Sequence, residues 1–338
     1  MRAIAVSTFR AAPSLIELPK PDPRADEVRV RIEYAALNPC DWQTADDASE
    51  GAAEPVFPLV VGVDYAGRVD MIGSGESPFR VGDEVFGRVS GSRAGAGTYC
   101  DYVSVPQDSA IALVPDGLPL RTAAALPSAG MAAAQLLETA VLRGHESLLI
   151  IGAAGGVGSC LTQLASARDL RVLAAVRGDE HRRMGALGAT VTIDTTARPL
   201  ETAVREACPE GIDALVDLVS TTPDGFVAHA ALVRAGGVAV STRGVAGRAA
   251  LATGVSGIDF RLEPTPVLLD ILATGALEGV LTVPIDIELP LEKAPQALDR
   301  NRTGGARGKT LFALRPAFRR IRKEAAWTSR RSSTTSAG

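Results

Sequence analysis

Along residues 1–118 apolar and polar positions alternate in short runs. Over 29–34, Val30 and Ile32 share one face while Arg29, Arg31 and Glu33 share the other, the period of a half-buried strand. Val103, Val105 and Ile111 continue such strands, and Pro19, Pro21, Pro23, Gly73, Gly75 and Gly82 punctuate them as turns. An all-β, barrel-like module is expected. Near residue 120 the rhythm changes. Residues 121–143 read as helix, broken near Pro127. Residues 148–151, Leu-Leu-Ile-Ile, are too few for a buried helix but suit a strand covered on both faces. More strands are expected at 171–176, 190–193, 213–219 and 237–241 with helices between them, the alternation of a doubly wound parallel sheet. Helices at 264–274 and 289–300 and a strand at 310–314 complete the chain. The fold class is α/β plus β.

After the strand at 148–151 comes Gly-Ala-Ala-Gly-Gly-Val-Gly over 152–158, then good helix formers over 159–167. Strand, glycine turn and helix form the context of a dinucleotide fingerprint. Counted back from Gly158, the first glycine of that pattern is replaced by Ala153. Gly155 lets backbone approach a pyrophosphate at the helix N-terminus, and Gly158 lets the helix pack closely on the strand. Ala154, Gly155, Gly156 and Val157 are therefore the candidate cofactor-binding turn. The competing reading is a tight turn in any α/β protein. An NAD-type site places an acid about 20 residues on, and here that position is Arg177. An arginine accepts no hydrogen bond from a ribose hydroxyl but clamps a 2′-phosphate. Such charged hydrogen bonds contribute roughly 1.5–3 kcal/mol, about 10- to 100-fold in affinity. NADPH is thus expected over NADH, with Arg182 and Arg183 as weaker candidates for the same phosphate and a solvated Arg177 as the alternative.

Composition narrows the picture. The chain has 338 residues, room for about two domains. Net charge is -4, and without the last 23 residues the chain carries 29 basic against 38 acidic side chains, so the body lacks a nucleic-acid signature. Residues 316–338 hold six Arg/Lys against one acid, a basic tail expected to be disordered at its end. The four cysteines form no CxxC pair and suit a reducing, cytoplasmic setting. Neither a signal peptide nor a membrane span is expected.

Several short motifs stand in order: Asp26-Glu27-Val28-Arg29-Val30, Ala36-Leu37-Asn38-Pro39-Cys40-Asp41, Gly62-Val63-Asp64-Tyr65-Ala66-Gly67, Val81-Gly82-Asp83-Glu84-Val85, Gly97-Thr98-Tyr99, Ala124-Ala125-Leu126-Pro127, the glycine turn, Leu187-Gly188-Ala189 and Gly308-Lys309. In this order and spacing the chain resembles the medium-chain dehydrogenase/reductase superfamily, in its zinc-independent quinone oxidoreductase (zeta-crystallin-like) branch. The resemblance covers about residues 1–315. It implies a GroES-like β-barrel domain from 1–118 and 262–315, an inserted Rossmann NADP-binding domain at 119–261, the tail at 316–338, and an active site in the cleft. It also implies a homodimer joined edge to edge through the Rossmann sheet.

The family's zinc-dependent members hold catalytic zinc with cysteine and histidine, whereas this chain has Asn38, Val63 and Ser128 at the corresponding positions. Reducing a simple ketone without a Lewis acid is hard. The resemblance therefore implies hydride transfer from NADPH to a small quinone or α,β-unsaturated carbonyl, whose conjugation spreads the charge. Asn38 is the catalytic candidate as oxyanion stabiliser. Asp41 and Trp42 are substrate-side candidates, and Ser128, Ser241 and Lys309 are expected beside the cofactor. Competing roles are a turn residue for Asn38, a cap for Asp41, core for Trp42 and a surface lysine for Lys309. Met131 and Thr195 replace a threonine and a tyrosine found in many relatives. Two other functions stay open: an enoyl-thioester reductase of fatty acid or polyketide chains, and an NADPH-binding protein without turnover.

Overall fold

The structure, a computed structural model, describes residues 1–46, 56–89, 96–304 and 306–315, so the basic tail at 316–338 lies outside the described residues. The N-terminal part runs β1 (Arg2–Val6), β2 (Ser14–Glu17), β3 (Glu27–Ala36), α1 (Pro39–Asp46), β4 (Leu59–Val60), β5 (Asp64–Ile72), β6 (Glu84–Arg88), β7 (Tyr102–Pro106) and β8 (Ala110–Leu113). Then come α2 (Leu120–Ala125), α3 (Pro127–Thr139), β9 (Ser147–Ile151), α4 (Gly156–Ser166), β10 (Arg171–Val176), α5 (His181–Ala186), β11 (Val191–Asp194), α6 (Leu200–Ala207), β12 (Ile212–Asp217), α7 (Pro223–Ala230), β13 (Val233–Ser241) and β14 (Ser256–Asp259). The chain closes with α8 (Pro266–Leu277), β15 (Ile285–Pro290), α9 (Ala294–Arg302) and β16 (Lys309–Ala313).

Two sheets make the β part. One is β2-β1-β4, and the other is β15-β16-β3-β5-β6-β8 with β7 also paired to β3. The alternation in β3 does what period two demands: Val28, Val30 and Ile32 are fully buried, while Arg29 turns outward to pair with Asp70. The return of β16 to pair antiparallel with β3 brings the chain's end beside its beginning.

The other part is a six-stranded parallel sheet in the order β11-β10-β9-β12-β13-β14. Its first strand, β9, is buried along its whole length. Leu148 and Ile150 face the core containing α3 and α4, and Leu149 and Ile151 face the one containing Ala203, Val204 and Phe226. The order reverses at β9, between β10 and β12, which opens the crevice where α/β sheets bind ligands. Helices α2, α3 and α8 form the joint, α2 lying against β3 and β5, and α8 against both α3 and β8.

Three expectations need correction. Residues 289–300 are not one helix: Leu289 and Pro290 end β15, which pairs parallel with β16, and α9 starts only at Ala294. Pro290 has no N–H to give a helix, and Ile285, Ile287 and Leu289 alternate as a strand does. Helix α1 was not expected inside the β part, nor β14 beyond β13. The first buries little apolar surface, and the second, Ser-Gly-Ile-Asp, is an exposed edge strand without an apolar run. All four cysteines are unpaired. Among the described residues no helix is long and apolar enough to cross a membrane.

Candidate active site

The glycine turn is built from β9 outward. Gly152 takes φ +84°, a left-handed conformation that favours glycine. This places the required flexible residue one position before Ala153, whose own backbone is ordinary, and so accounts for the alanine in the fingerprint. Gly158 has no room for a side chain, because a Cβ there would stand 2.6 Å from the Ala153 Cα. At Gly155 a Cβ would meet only the Gly152 carbonyl, at 3.4 Å. The absence of a side chain at Gly155 thus serves whatever approaches from outside. Gly155 is the N-cap of α4 and no side chain caps the helix, which leaves N–H groups and the positive end of the helix dipole facing the crevice.

Beyond β10 the described residues are rich in arginine. Arg177 and Arg182 are exposed, and neither has a partner among the described residues. Arg183 reaches the turn itself: its Nη2 donates to the Ala154 carbonyl at 2.9 Å and its Nε to Glu180 at 2.7 Å. Arg307, from the segment before β16, pairs with the same Glu180 at 2.9 Å. One largely buried carboxylate thus stands between two guanidinium groups. Thr195 donates to the Val176 carbonyl at the same edge. Arg307 escaped the sequence reading, because its place at the crevice follows from the chain's late return.

The other end of the cleft holds a buried polar network centred on Asp64, which has no solvent exposure. Asp64 accepts from the Ser128 Oγ at 2.6 Å and from the Ser128 N–H in the first turn of α3 at 3.2 Å. It also accepts from Asn38 Nδ2 at 2.8 Å and pairs with Lys309 Nζ at 3.3 Å. Lys309 is 3% exposed and donates to Asn38 Oδ1 at 2.6 Å and the Leu37 carbonyl at 3.0 Å. Its stem lies against the start of α4, where a Cβ on Gly156 would stand 2.9 Å from the Lys309 Cδ. One lysine thus ties together the glycine turn, Asn38 and Asp64. Both ends of the Asn38 amide are engaged, the second Nδ2 contact being the Ala36 carbonyl at 3.3 Å.

Asp41 lies in the first turn of α1 and reaches back to the Asn38 N–H at 2.7 Å, half of a capping box. Its Oδ2 also accepts from the Tyr99 hydroxyl at 2.6 Å. Burial pushes this carboxyl up to about 6, against the pull of the two hydrogen bonds. Burial also raises the Tyr99 hydroxyl far above its ordinary range and the Cys40 thiol to about 12, so both stay protonated at neutral pH. Trp42 donates from Nε1 to Asn301 at 3.0 Å and stacks under the Arg302 guanidinium at 5.1 Å. Ser241 is buried and its Oγ accepts from the Arg243 N–H at 3.1 Å, turned into its own loop. Met131 is fully buried core.

The structure therefore brings Asn38, Ser128, Lys309 and the turn Ala154–Val157 together, with Asp41 behind Asn38 and Trp42 at the outer wall. Arg177 and Arg182 lie at the far end of the sheet edge. Asp64 belongs to one of the motifs but has no role that local pattern assigns, since its partners Asn38, Ser128 and Lys309 come from three separate segments. Zinc wants three or four N/S or carboxylate ligands. Asn38, Val63 and Ser128 offer no such set, and among the described residues no three His, Cys, Asp or Glu side chains gather to hold a metal. The residues at the crevice do suit a dinucleotide: an uncapped helix N-terminus, a turn open to close approach and arginines beyond.

The chain matches the alcohol dehydrogenase GroES-like domain family over residues 24–116 and the zinc-binding dehydrogenase family over residues 187–311. It is 27% identical to the quinone oxidoreductase of Rattus norvegicus, over 93% of this chain and 98% of that one. It is 30% identical to the 2-methylene-furan-3-one reductase of Solanum lycopersicum, over 86% of this chain and 73% of that one. The solved structure of the quinone oxidoreductase from Coxiella burnetii superimposes with a TM-score of 0.84 at 26% identity, covering 93% of this chain and 99% of that one.

Proposed function

The chain belongs to the medium-chain dehydrogenase/reductase superfamily, in its quinone oxidoreductase branch, and on that premise we propose that this oxidoreductase reduces quinones or α,β-unsaturated carbonyl compounds with NADPH and without zinc. One observation carries the cofactor half of the reading. The turn Ala154–Val157 leads into an uncapped helix, and Arg177, Arg183 and Arg307 lie beyond it where a ribose-binding acid would otherwise stand. The N–H groups of Gly156 and Val157, in the uncapped first turn of α4, would hold a pyrophosphate, and the arginines the 2′-phosphate.

A bound reduced nicotinamide supplies the hydride, which a quinone or the β-carbon of an enone accepts because conjugation moves the electron pair onto oxygen. The chain's own residues then bind, orient and exclude water. Lys309 and Asp64 fix Asn38 at the start of α1, and Trp42 walls the outer side. Asn38 can donate to a substrate oxygen by giving up its long contact to the Ala36 carbonyl. Three titratable groups near Asn38 do not suit general acid catalysis near neutrality. Tyr99 and Cys40 hold their protons too tightly, and Asp41 is sealed behind Tyr99 and Asn38. Solvent supplies the proton.

Edge strand β14 supports a dimer joined through the parallel sheet, since its outer edge is unpaired among the described residues. The function is tested by a panel of quinones, enones and simple ketones assayed with NADPH and with NADH. Turnover of the conjugated acceptors with NADPH is expected, at least about 10-fold more efficient than with NADH. Tight NADPH binding with no oxidation by any acceptor would contradict it.

A further inference from the structure

Arg243 follows the carboxyl end of β13 and is half-buried. Its guanidinium carbon lies 5.9 Å from the centroid of the Trp42 ring. With the Gln43 amide turned so that Oε1 faces it, Gln43 accepts from Nη1 at 2.5 Å and Nη2 at 2.8 Å. Trp42 and Gln43 both belong to α1, so this side chain spans the cleft from the parallel sheet to the β part. The other guanidinium on the same ring, Arg302, is held by Asp46. Arg243 has no carboxylate partner among the described residues. Burial lowers its pKa, yet a guanidinium keeps its charge at any working pH. The neighbouring Cys40 thiol is neutral and offers no counter-charge.

A partly desolvated cation without an anion is an unfavourable arrangement that an incoming anion relieves. Gln43 occupies two of five N–H donors and fixes the plane of the fork, so little order is lost when a planar carboxylate docks. We propose that Arg243 receives a carboxylate carried by the substrate, so that the acceptor is an α,β-unsaturated carbonyl compound bearing an acid group. This rests on the hydride-transfer reading above and narrows it. Because α1 starts directly after Asn38, the acid group would sit on the same wall as the reaction centre.

The test compares 4-oxopent-2-enoate with its methyl ester, both with NADPH, in the wild type, Arg243→Gln and Arg243→Lys. Arg243→Gln is expected to lower kcat/KM for the acid by about 10- to 100-fold, mainly through KM. The ester should stay within about twofold, and Arg243→Lys should recover part of the loss. Equal losses on acid and ester, or no loss on the acid, would overturn the assignment. Calorimetric titration of 4-oxopent-2-enoate into protein loaded with NADP+ reads the same contact without turnover. Binding weakened about 10- to 100-fold by Arg243→Gln supports the site, and absent or unchanged binding overturns it. Acid binding through Arg243 with neither compound reduced would leave the anion site standing and sink the hydride-transfer reading instead.

Discussion

Arg177 stands exposed at the end of β10, the place of an acid in NAD-type sites. Arg177→Asp should weaken NADPH binding by about 10- to 100-fold while NADH binding holds or improves. An unchanged preference would shift the phosphate to Arg183 and Arg307. Asp41 carries the pH prediction. Its folded pKa of about 6 lies above the ordinary 3.8, so its contribution to stability is full below about pH 4 and is lost as pH rises through 6. Urea unfolding of the wild type and Asp41→Asn should therefore show the wild type losing ground by up to about 1.4 kcal/mol per pH unit between pH 4 and 6. A gap independent of pH would contradict this. The position of Arg177 just after β10 was legible because its spacing from the turn carries meaning. The raised pKa of Asp41 was not, since it comes from burial that exists only once distant segments close over α1.

At the level of elements, the strand, turn and helix at β9–α4 were readable from local pattern alone, because both faces of β9 are buried and the glycines obey fixed sterics. Helix α1 and strand β14 were hidden, the first by its polar composition and the second by its exposure. The two turn glycines separate packing from binding. Gly158→Ala should lower the urea midpoint clearly, because its Cβ meets backbone at 2.6 Å. Gly155→Ala should unfold like the wild type, because its φ of −74° suits alanine, yet lose most of its affinity for NADPH. Equal effects of the two substitutions on both readouts would contradict the assigned roles.

The whole molecule is joined at Lys309. From the last strand this buried lysine reaches Asn38 and Asp64 near the chain's beginning and lies along the start of α4 in the parallel sheet domain. The Gly308-Lys309 motif marks this residue, but its partners stay hidden in the sequence, since they meet it only when both chain ends close the β part. Lys309→Met leaves Asp64 buried without its cation and should destabilise the fold by about 3–5 kcal/mol, most of it restored by adding Asp64→Asn. A single variant as stable as the wild type would show that the joint lies elsewhere. Sedimentation should give about twice the 35.0 kDa chain mass if β14 pairs across a dimer, and a monomer would contradict that pairing. Conjugate hydride transfer is seen most directly by reducing an enone with NADPH carrying deuterium at both C4 positions of the nicotinamide and locating the label by mass spectrometry and NMR. One deuterium on the carbon β to the carbonyl is the predicted result. Deuterium on the former carbonyl carbon, or none in the product, would contradict it.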